Sequence, residues 1–288
     1  MNRPVSLGFA KLEALANDFV LIDARSRSFE ADELLIRRLA DRRRGIGFDQ
    51  MLILRPANDA QSLCAVEIRN SDGSRAEQCG NGMRAIALWL RQAGAYTDSA
   101  GLQSDGGPVE IRYQTKDRIS ATLQAPDFAP AAWGGRLQQS EWAESISGQV
   151  YPVSGVSMGN PHLVLQWLEP PTPEALLKVG LHFQAEPRLA FGANIGLAYV
   201  FDRHRIELAV LERGAGPTQA CGSGACAAAV SLIRRGKVAS PVTVSQPGGE
   251  LVIHWDGPGR AVRMTGPARH VFDGNIRIDT LFESDHPS

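Results

Sequence analysis

The sequence repeats itself, and that repeat limits the fold more than any single motif does. A Cys-Gly-X-Gly tetrapeptide occurs twice in the 288 residues, at Cys79 in EQCGNGMRAIALWL and at Cys221 in QACGSGACAAAV, 142 positions apart. Other landmarks keep nearly that offset. Asn17 of ANDFVLID and Asn160 of GNPHLVLQ lie 143 apart, Gln50 of GFDQMLIL and Asn194 of GANIGLAYV 144, and Asn70 and Arg213 143. Each cysteine is followed 15 positions later by a glycine, Gly94 or Gly236. An ordered series at near-constant spacing implies two copies of one structural unit.

The unit reads as mixed. FVLIDA, QMLILRP, PVEIRY and RISATLQ are short β-branched or alternating runs bounded by turn residues, the pattern of strands. FEADELLIRRLADRRRG is helical in pattern, with apolar Leu34, Leu35, Leu39 and Ala40 at helical spacing and Gly45 as its stop. Gly82–Gln92 and Gly224–Arg235 read as helices closed by Gly94 and Gly236. Strands follow one another too often for a doubly wound sheet, so the class is α+β (α/β), as two duplicated domains. The join falls between Thr122 and Val150, where APDFAPAAWGG breaks the pattern. The expected division is 1–125 and 126–268, with the segment 269–288 returning to pack on the first unit.

Composition narrows the function. A formal net charge of -1 provides no overall field for nucleic acid or an anionic membrane. No apolar run approaches a membrane span, and Lys11, Glu13 and Asp18 interrupt the N-terminal region too early for an export signal. Four cysteines in a chain of this length do not form a disulfide scaffold, which points to free thiols in a reducing cytoplasm.

Two of those thiols stand at helix starts, where unpaired N–H groups and the positive end of the macrodipole favour an anion. A thiolate there is expected below its free pKa of about 8.5. The glycines that follow let backbone N–H groups approach a ligand closely. If the two units face each other, Cys79 and Cys221 reach one ligand from opposite sides. That arrangement suits inversion at a stereocentre, one thiolate removing a proton while the other thiol delivers one. Cys64 and Cys226 have no such setting and belong to the core. Neither Cys79 nor Cys221 has a second Cys or His at ligand spacing, so a metal is not indicated. Taken alone, each feature has a plainer reading: a cysteine at a helix start is usually packing, and asparagines beside Gly or Asp are usually turn chemistry. By the same standard Glu212–Arg213 is a solvated pair and His162 a satisfied buried histidine. Their fixed places around the two Cys motifs set them apart.

Together with IRNSDGSRAEQCGNGMRA and LERGAGPTQACGSGACAAAV, the blocks NDFVLIDA, RRLADRRRGIGFDQMLI, VSMGNPHLV, QPGGEL and MTGPARHVFDG resemble the diaminopimelate epimerase family. The resemblance implies two pseudo-symmetric domains, each a mostly antiparallel sheet wrapped around a central helix, with the active site in the cleft between them. It implies a cofactor-independent enzyme interconverting LL- and meso-diaminopimelate, with Cys79 and Cys221 as the acid–base pair. Gly80, Asn81, Gly222 and Ser223 would then present backbone N–H groups to the reacting carboxylate. Asn17, Gln50, Asn70, Asn160, Asn194, Glu212 and Arg213 would hold the substrate, and His162 and Glu212 would help set the thiols' protonation. The family also implies a homodimer, and Phe272 stands where some members carry a dimer-contact Tyr. The chain departs from the family at KLEALAND, where Glu13, Ala14 and Ala16 replace a His and two Gly, and at Pro217, where Glu is usual. Three other readings compete: a same-fold racemase for another amino acid, a proline-racemase-like enzyme, and a silent binder of dicarboxylic amino acids.

Overall fold

The computed structural model describes residues 6–184, 189 and 192–282. Its first half runs β1 (Ser6–Ala14), β2 (Asn17–Asp23), α1 (Glu33–Ala40), β3 (Gln50–Arg55), β4 (Ser62–Asn70), β5 (Arg75–Ala76), α2 (Gly80–Gln92), β6 (Ser99–Ser104), β7 (Gly107–Thr115) and β8 (Arg118–Leu123). A connecting strand, β9 (Glu141–Ile146), follows. The second half runs β10 (Gln149–Ser157), β11 (Pro161–Trp167), α3 (Pro173–Gln184), β12 (Asn194–Asp202), β13 (Arg205–Glu212), β14 (Gly216–Thr218), α4 (Gly222–Arg234), β15 (Val242–Gln246), β16 (Gly249–Trp255) and β17 (Val262–Gly266). The closing strand is β18 (Arg269–Arg277).

The pairing of the two halves is the same, strand for strand. In the first, β1–β2 is antiparallel, β2–β3 parallel, β3–β4 antiparallel and β4–β6 parallel, and β6, β7 and β8 form a meander. In the second, β10–β11, β11–β12, β12–β13, β13–β15 and the meander β15–β16–β17 repeat that sequence of directions. The outer edge of each half takes one more strand: β18 lies along β1, and β9 along β10. The halves join through β8 and β17, which pair antiparallel with Ala121 opposite Met264, Ile119 opposite Gly266 and Leu123 opposite Val262.

Each sheet curls around one helix. α2 packs on β1, β2, β7, β8 and β18, and α4 on β10–β13 and β15–β17. A helix enclosed in this way must be apolar or small on every side. In α4 every residue from Gly222 to Leu232 is buried, and in α2 every residue from Gly80 to Leu88. The alanine run of α4 meets that demand with strong helix formers that occupy little space. One continuous core spans both central helices, while α1 and α3 seal separate cores on the outer faces of the sheets.

Both central helices begin two residues before the positions predicted for them, because Cys79 and Cys221 are themselves the N-caps. Gly94 and Gly236 follow the helix ends at φ +72° and +67°, the left-handed turn that glycine adopts without penalty. The apolar face of α1 is shifted from the predicted one: Leu35, Ile36 and Leu39 are buried, but Leu34 is 53% exposed. α3 was not foreseen. It starts with Thr172 Oγ1 accepting the Ala175 N–H and Pro173 in the first turn, a helix entry that the surrounding prolines obscure.

Candidate active site

The starts of α2 and α4 meet at the bottom of a cleft of about 1030 Å³ lined by residues from both halves. Glycine makes the meeting possible. A Cβ on Gly80 would lie 2.3 Å from Met264 Cε, and one on Gly222 would lie 3.0 Å from Asn81 Oδ1. Asn81 Nδ2 also donates to Ala220 O across the halves, at 3.4 Å. Of the residues expected to form a site, Asn17, Gln50, Asn70, Cys79, Gly80, Asn81, Asn160, Glu212, Arg213, Cys221, Gly222 and Ser223 line the cleft. Asn194 and His162 stand one layer behind. Asn194 is buried and its Oδ1 accepts the Arg213 N–H at 2.9 Å, while His162 Nε2 bonds Asn160 Oδ1 at 2.9 Å.

Each thiol caps its own helix. Cys79 Sγ accepts the Gly82 N–H and Cys221 Sγ accepts the Gly224 N–H, both at 3.3 Å. Cys79 Sγ reaches toward Asn17 Oδ1 at 3.9 Å, and Cys221 Sγ lies 3.6 Å from Ser223 Oγ. The expected fall in thiol pKa is reversed. Burial pushes Cys79 up to about 12 against the pull of the Gly82 N–H, and the nearby Glu212 carboxylate adds to the rise. Cys221 is driven well above the ordinary thiol range by burial and by the same carboxylate. Helix-start N–H groups favour the thiolate, but removing water from around the sulfur costs more. Both thiols therefore rest protonated at neutral pH.

Glu212 is the proton acceptor at hand. Burial raises it above the usual carboxylate range, while hydrogen bonds from Thr218 (Oγ1 to Oε1, 2.7 Å) and from the Cys221 thiol oppose that rise. The contact between the two groups acts in opposite senses, the Cys221 thiol favouring an ionised Glu212 and the Glu212 carboxylate disfavouring ionisation of Cys221. His162 is different: burial, with Arg213 nearby, depresses it to about 3, so it is neutral and holds the side chain of Asn160 in place. The amides form a linked frame as well, since Gln50 Nε2 donates to Asn70 Oδ1 at 2.9 Å and Asn70 Nδ2 donates to Ser74 Oγ at 3.0 Å.

Sequence reasoning missed a charged network at the cleft mouth. Asp18 accepts from Lys11 and from Arg42, Arg42 also reaches Asp49 at 2.9 Å, and Asp49 Oδ2 accepts Asn17 Nδ2 at 2.9 Å. Burial alone would raise the Asp18 carboxyl, but the hydrogen bonds from Arg42 and Lys11 bring it down to about 2. Its residues come from three loops and strands, and only the charged pattern of NDF and RRRGIGFDQ hinted at it. Also missed was Gln246, whose Oε1 accepts the Cys221 N–H at 2.8 Å.

The departure at KLEALAND has a structural counterpart. Leu15 and Ala16 form the β1–β2 turn at φ +58° and +62°, a region that non-glycine residues enter at a cost. Glu13 Oε1 accepts the Ala16 N–H at 2.6 Å, and Leu15 is buried against the Gly248–Gly249 turn of the other half. At the matching turn in the second half, Gly159 takes φ +91°.

A duplicated strand-and-helix unit with one thiol from each copy in a shared cleft defines the class of pseudo-symmetric, cysteine-paired isomerases. Solved structures agree at the level of the fold. A probable proline racemase from Agrobacterium radiobacter superposes with a TM-score of 0.73 over 96% of this chain and 94% of its own, at 11% identity. A hydroxyproline epimerase from Agrobacterium vitis does so at 0.70 over 97% and 94%, at 14% identity. A family model described as diaminopimelate epimerase matches residues 9–125 and 154–271. The diaminopimelate epimerases of Pseudomonas entomophila and Halorhodospira halophila are 39% and 40% identical to this chain. Each alignment covers 94% of this chain, and 99% and 95% of the respective relative. The chain belongs to the diaminopimelate epimerase family.

Proposed function

We propose that this protein interconverts LL- and meso-diaminopimelate without a cofactor, with Cys79 and Cys221 as the paired base and acid. The observation that carries the reading is that two thiols, each capping the central helix of a different half, line one cleft. In the active form one of them is a thiolate. It takes the α-proton, the C–H bonding electrons pass into the carboxylate as an enediolate, and the opposing thiol delivers its proton to the other face of the carbon. Each turnover leaves the pair in the mirror protonation state, so the reverse reaction restores it. Cys221 can reach its thiolate form by passing its proton to Glu212. Gly80, Asn81, Gly222 and Ser223 would offer backbone N–H groups to the enediolate from two helix starts in a dry site. Asn17, Gln50, Asn70, Asn160 and Glu212 would hold the remainder of the substrate and Arg213 its distal carboxylate, with Asn194 acting from behind through the Arg213 backbone N–H.

The same reading gives residues 1–125 with 269–288 as one lobe and 126–268 as the other; of these, 1–5, 185–188, 190, 191 and 283–288 lie outside the described residues. It places the enzyme in the cytoplasm, as suits four free thiols, and no helix among the described residues is long and apolar enough to cross a membrane. A homodimer belongs to it as well, with the exposed Phe272 standing where some family members carry a dimer-contact Tyr. The test is incubation of the reduced protein with LL-diaminopimelate in deuterium oxide, without pyridoxal phosphate. Meso product carrying α-deuterium, absent with Cys79→Ser and Cys221→Ser, supports the proposal. A folded, reduced protein that shows no exchange rejects it, and a panel of other amino acids then separates a different racemase from a binder.

A further inference from the structure

The buried groups with a part in the site are few, and one of them has no part in the mechanism above. Arg84 sits on α2, fully buried, beneath the two helix starts. Its Nη2 donates to Asn81 Oδ1 at 2.9 Å, its Nη1 to Gly80 O at 3.3 Å, and Nη1 also lies 3.2 Å from Met264 Sδ of the other half. Its Nε has no hydrogen-bond partner, and no carboxylate among the described residues lies within ion-pair distance of it. A buried guanidinium without a counter-ion is costly, and apolar residues commonly fill such a place at no loss of stability. The fold does not require a cation here. The same place in α4, five residues after Cys221 as Arg84 is five after Cys79, is filled by uncharged, fully buried Cys226. A charge kept where its structural twin has none calls for a partner that is itself an anion. The cleft above it takes one whenever a thiol ionises or a carboxylate binds.

We propose that Arg84 is a positioning residue that anchors Asn81 and Gly80 at the start of α2 and supplies the fixed positive charge against which the Cys79 thiolate and the bound enediolate are stabilised. This rests on the epimerase reading for the enediolate but not for the thiolate. Burial lowers Arg84 to about 10, so the guanidinium stays charged at neutral pH. The groups that face it are Cys79, Cys226 and Glu13, and those that face the Cys79 thiol besides Arg84 are Glu212 and Cys221. Arg84 is thus the cation in that set, set against carboxylates and thiols that all oppose ionisation of Cys79. Its reach along the helix to Gly80 O and Asn81 also couples its charge to the N–H groups of the cradle.

The test compares wild type with Arg84→Met and Arg84→Lys in the full-length reduced protein. The rate of Cys79 alkylation by iodoacetamide is followed peptide by peptide from pH 7 to 10, beside kcat/KM for epimerisation. Loss of a neighbouring opposite charge is worth about one to three pKa units, so alkylation of Cys79 at pH 8 should slow by at least about tenfold in Arg84→Met. The lysine variant lacks the planar fork on Asn81 and should lose part of kcat, and its buried ammonium should support Cys79 alkylation less well as pH rises. Equal alkylation rates in wild type and Arg84→Met overturn the proposal. Arg84→Gln repeats the comparison if Arg84→Met fails to fold. If neither folds, Arg84 is a folding element and the proposal falls. The alkylation arm contains no substrate, so an error in the substrate assignment leaves it readable.

Discussion

At equivalent places the two halves agree in backbone and disagree in side chain. Gln50 and Asn70 of the first half correspond to Asn194 and Arg213 of the second, Phe19 to His162, Arg69 to Glu212, and Arg84 to Cys226. The shared features are the capping thiols and the glycines that bring the two helix starts together. Apart from Arg84 and Cys226, which lie inside the central helices, these differences lie on the strands of the two halves and at their ends. A reacting carbon approached from both faces is served by matched halves, whereas a substrate with two different ends needs walls that differ. In the proposed reaction, the matched elements would supply the acid and the base, and the unmatched ones would recognise the substrate.

The largest test of that division is removal of either matched element. Cys79→Ser and Cys221→Ser should each lower kcat for epimerisation on the order of 10³-fold or more, measured by product formation in deuterium oxide, because both a base and an acid are needed. If only one of the two matters, the matched-halves account breaks. Removing an unmatched element should act on binding instead. Arg213→Met should raise KM about 10- to 100-fold with a smaller change in kcat, the equivalent of losing a charge-assisted hydrogen bond of roughly 1.5–3 kcal/mol.

Smaller effects lie at the cleft mouth, at the charged network of the first half. The Asp18 carboxyl is held at about 2 in the folded protein, below its ordinary 3.8. Its contribution is therefore complete above about pH 3.8 and is lost as pH falls toward 2. Asp18→Asn should cost roughly 2 kcal/mol at neutral pH and flatten the decline of Tm between pH 4 and pH 2. The smallest effects compare the two hairpin turns. Gly159→Ala forces a side chain to φ +91° and should destabilise by roughly 1–2 kcal/mol, read from urea unfolding. Ala16→Gly should do the opposite and stabilise by up to about 1 kcal/mol, since relief of the left-handed strain outweighs the added freedom of the unfolded chain.

Much of this architecture was legible because the chain contains two copies of it. The offset aligned Asn17 with Asn160 and Cys79 with Cys221 before any strand was placed, and the resemblance to the family supplied the other expected site residues, most of which line the cleft. What was illegible depends on how the copies meet. The thiol shifts follow from burial in the assembled fold, which no local pattern encodes, so helix position alone gave the wrong direction. The network of Lys11, Asp18, Arg42 and Asp49 is assembled from separate segments whose distance in space no local pattern encodes. α3 was hidden by its prolines and by Gly180 in its interior, where an added Cβ would lie only 2.4 Å from Leu211 Cδ2. The burial of Ile36 in place of Leu34 is a rotation of one helix by a fraction of a turn, a detail set by the core beneath it.

The β8–β17 joint carries a further consequence. Shifting every residue number by 143 exchanges the two strands and returns the same register, centred on Ala121 opposite Met264. Two identical chains that paired this strand across a two-fold axis could form the same seam. The single chain thus holds the geometry of an isologous contact, with both sides covalently joined and their pairing independent of concentration. Because the two sides belong to one chain, their sequences need not match, and each half can line the cleft with different residues.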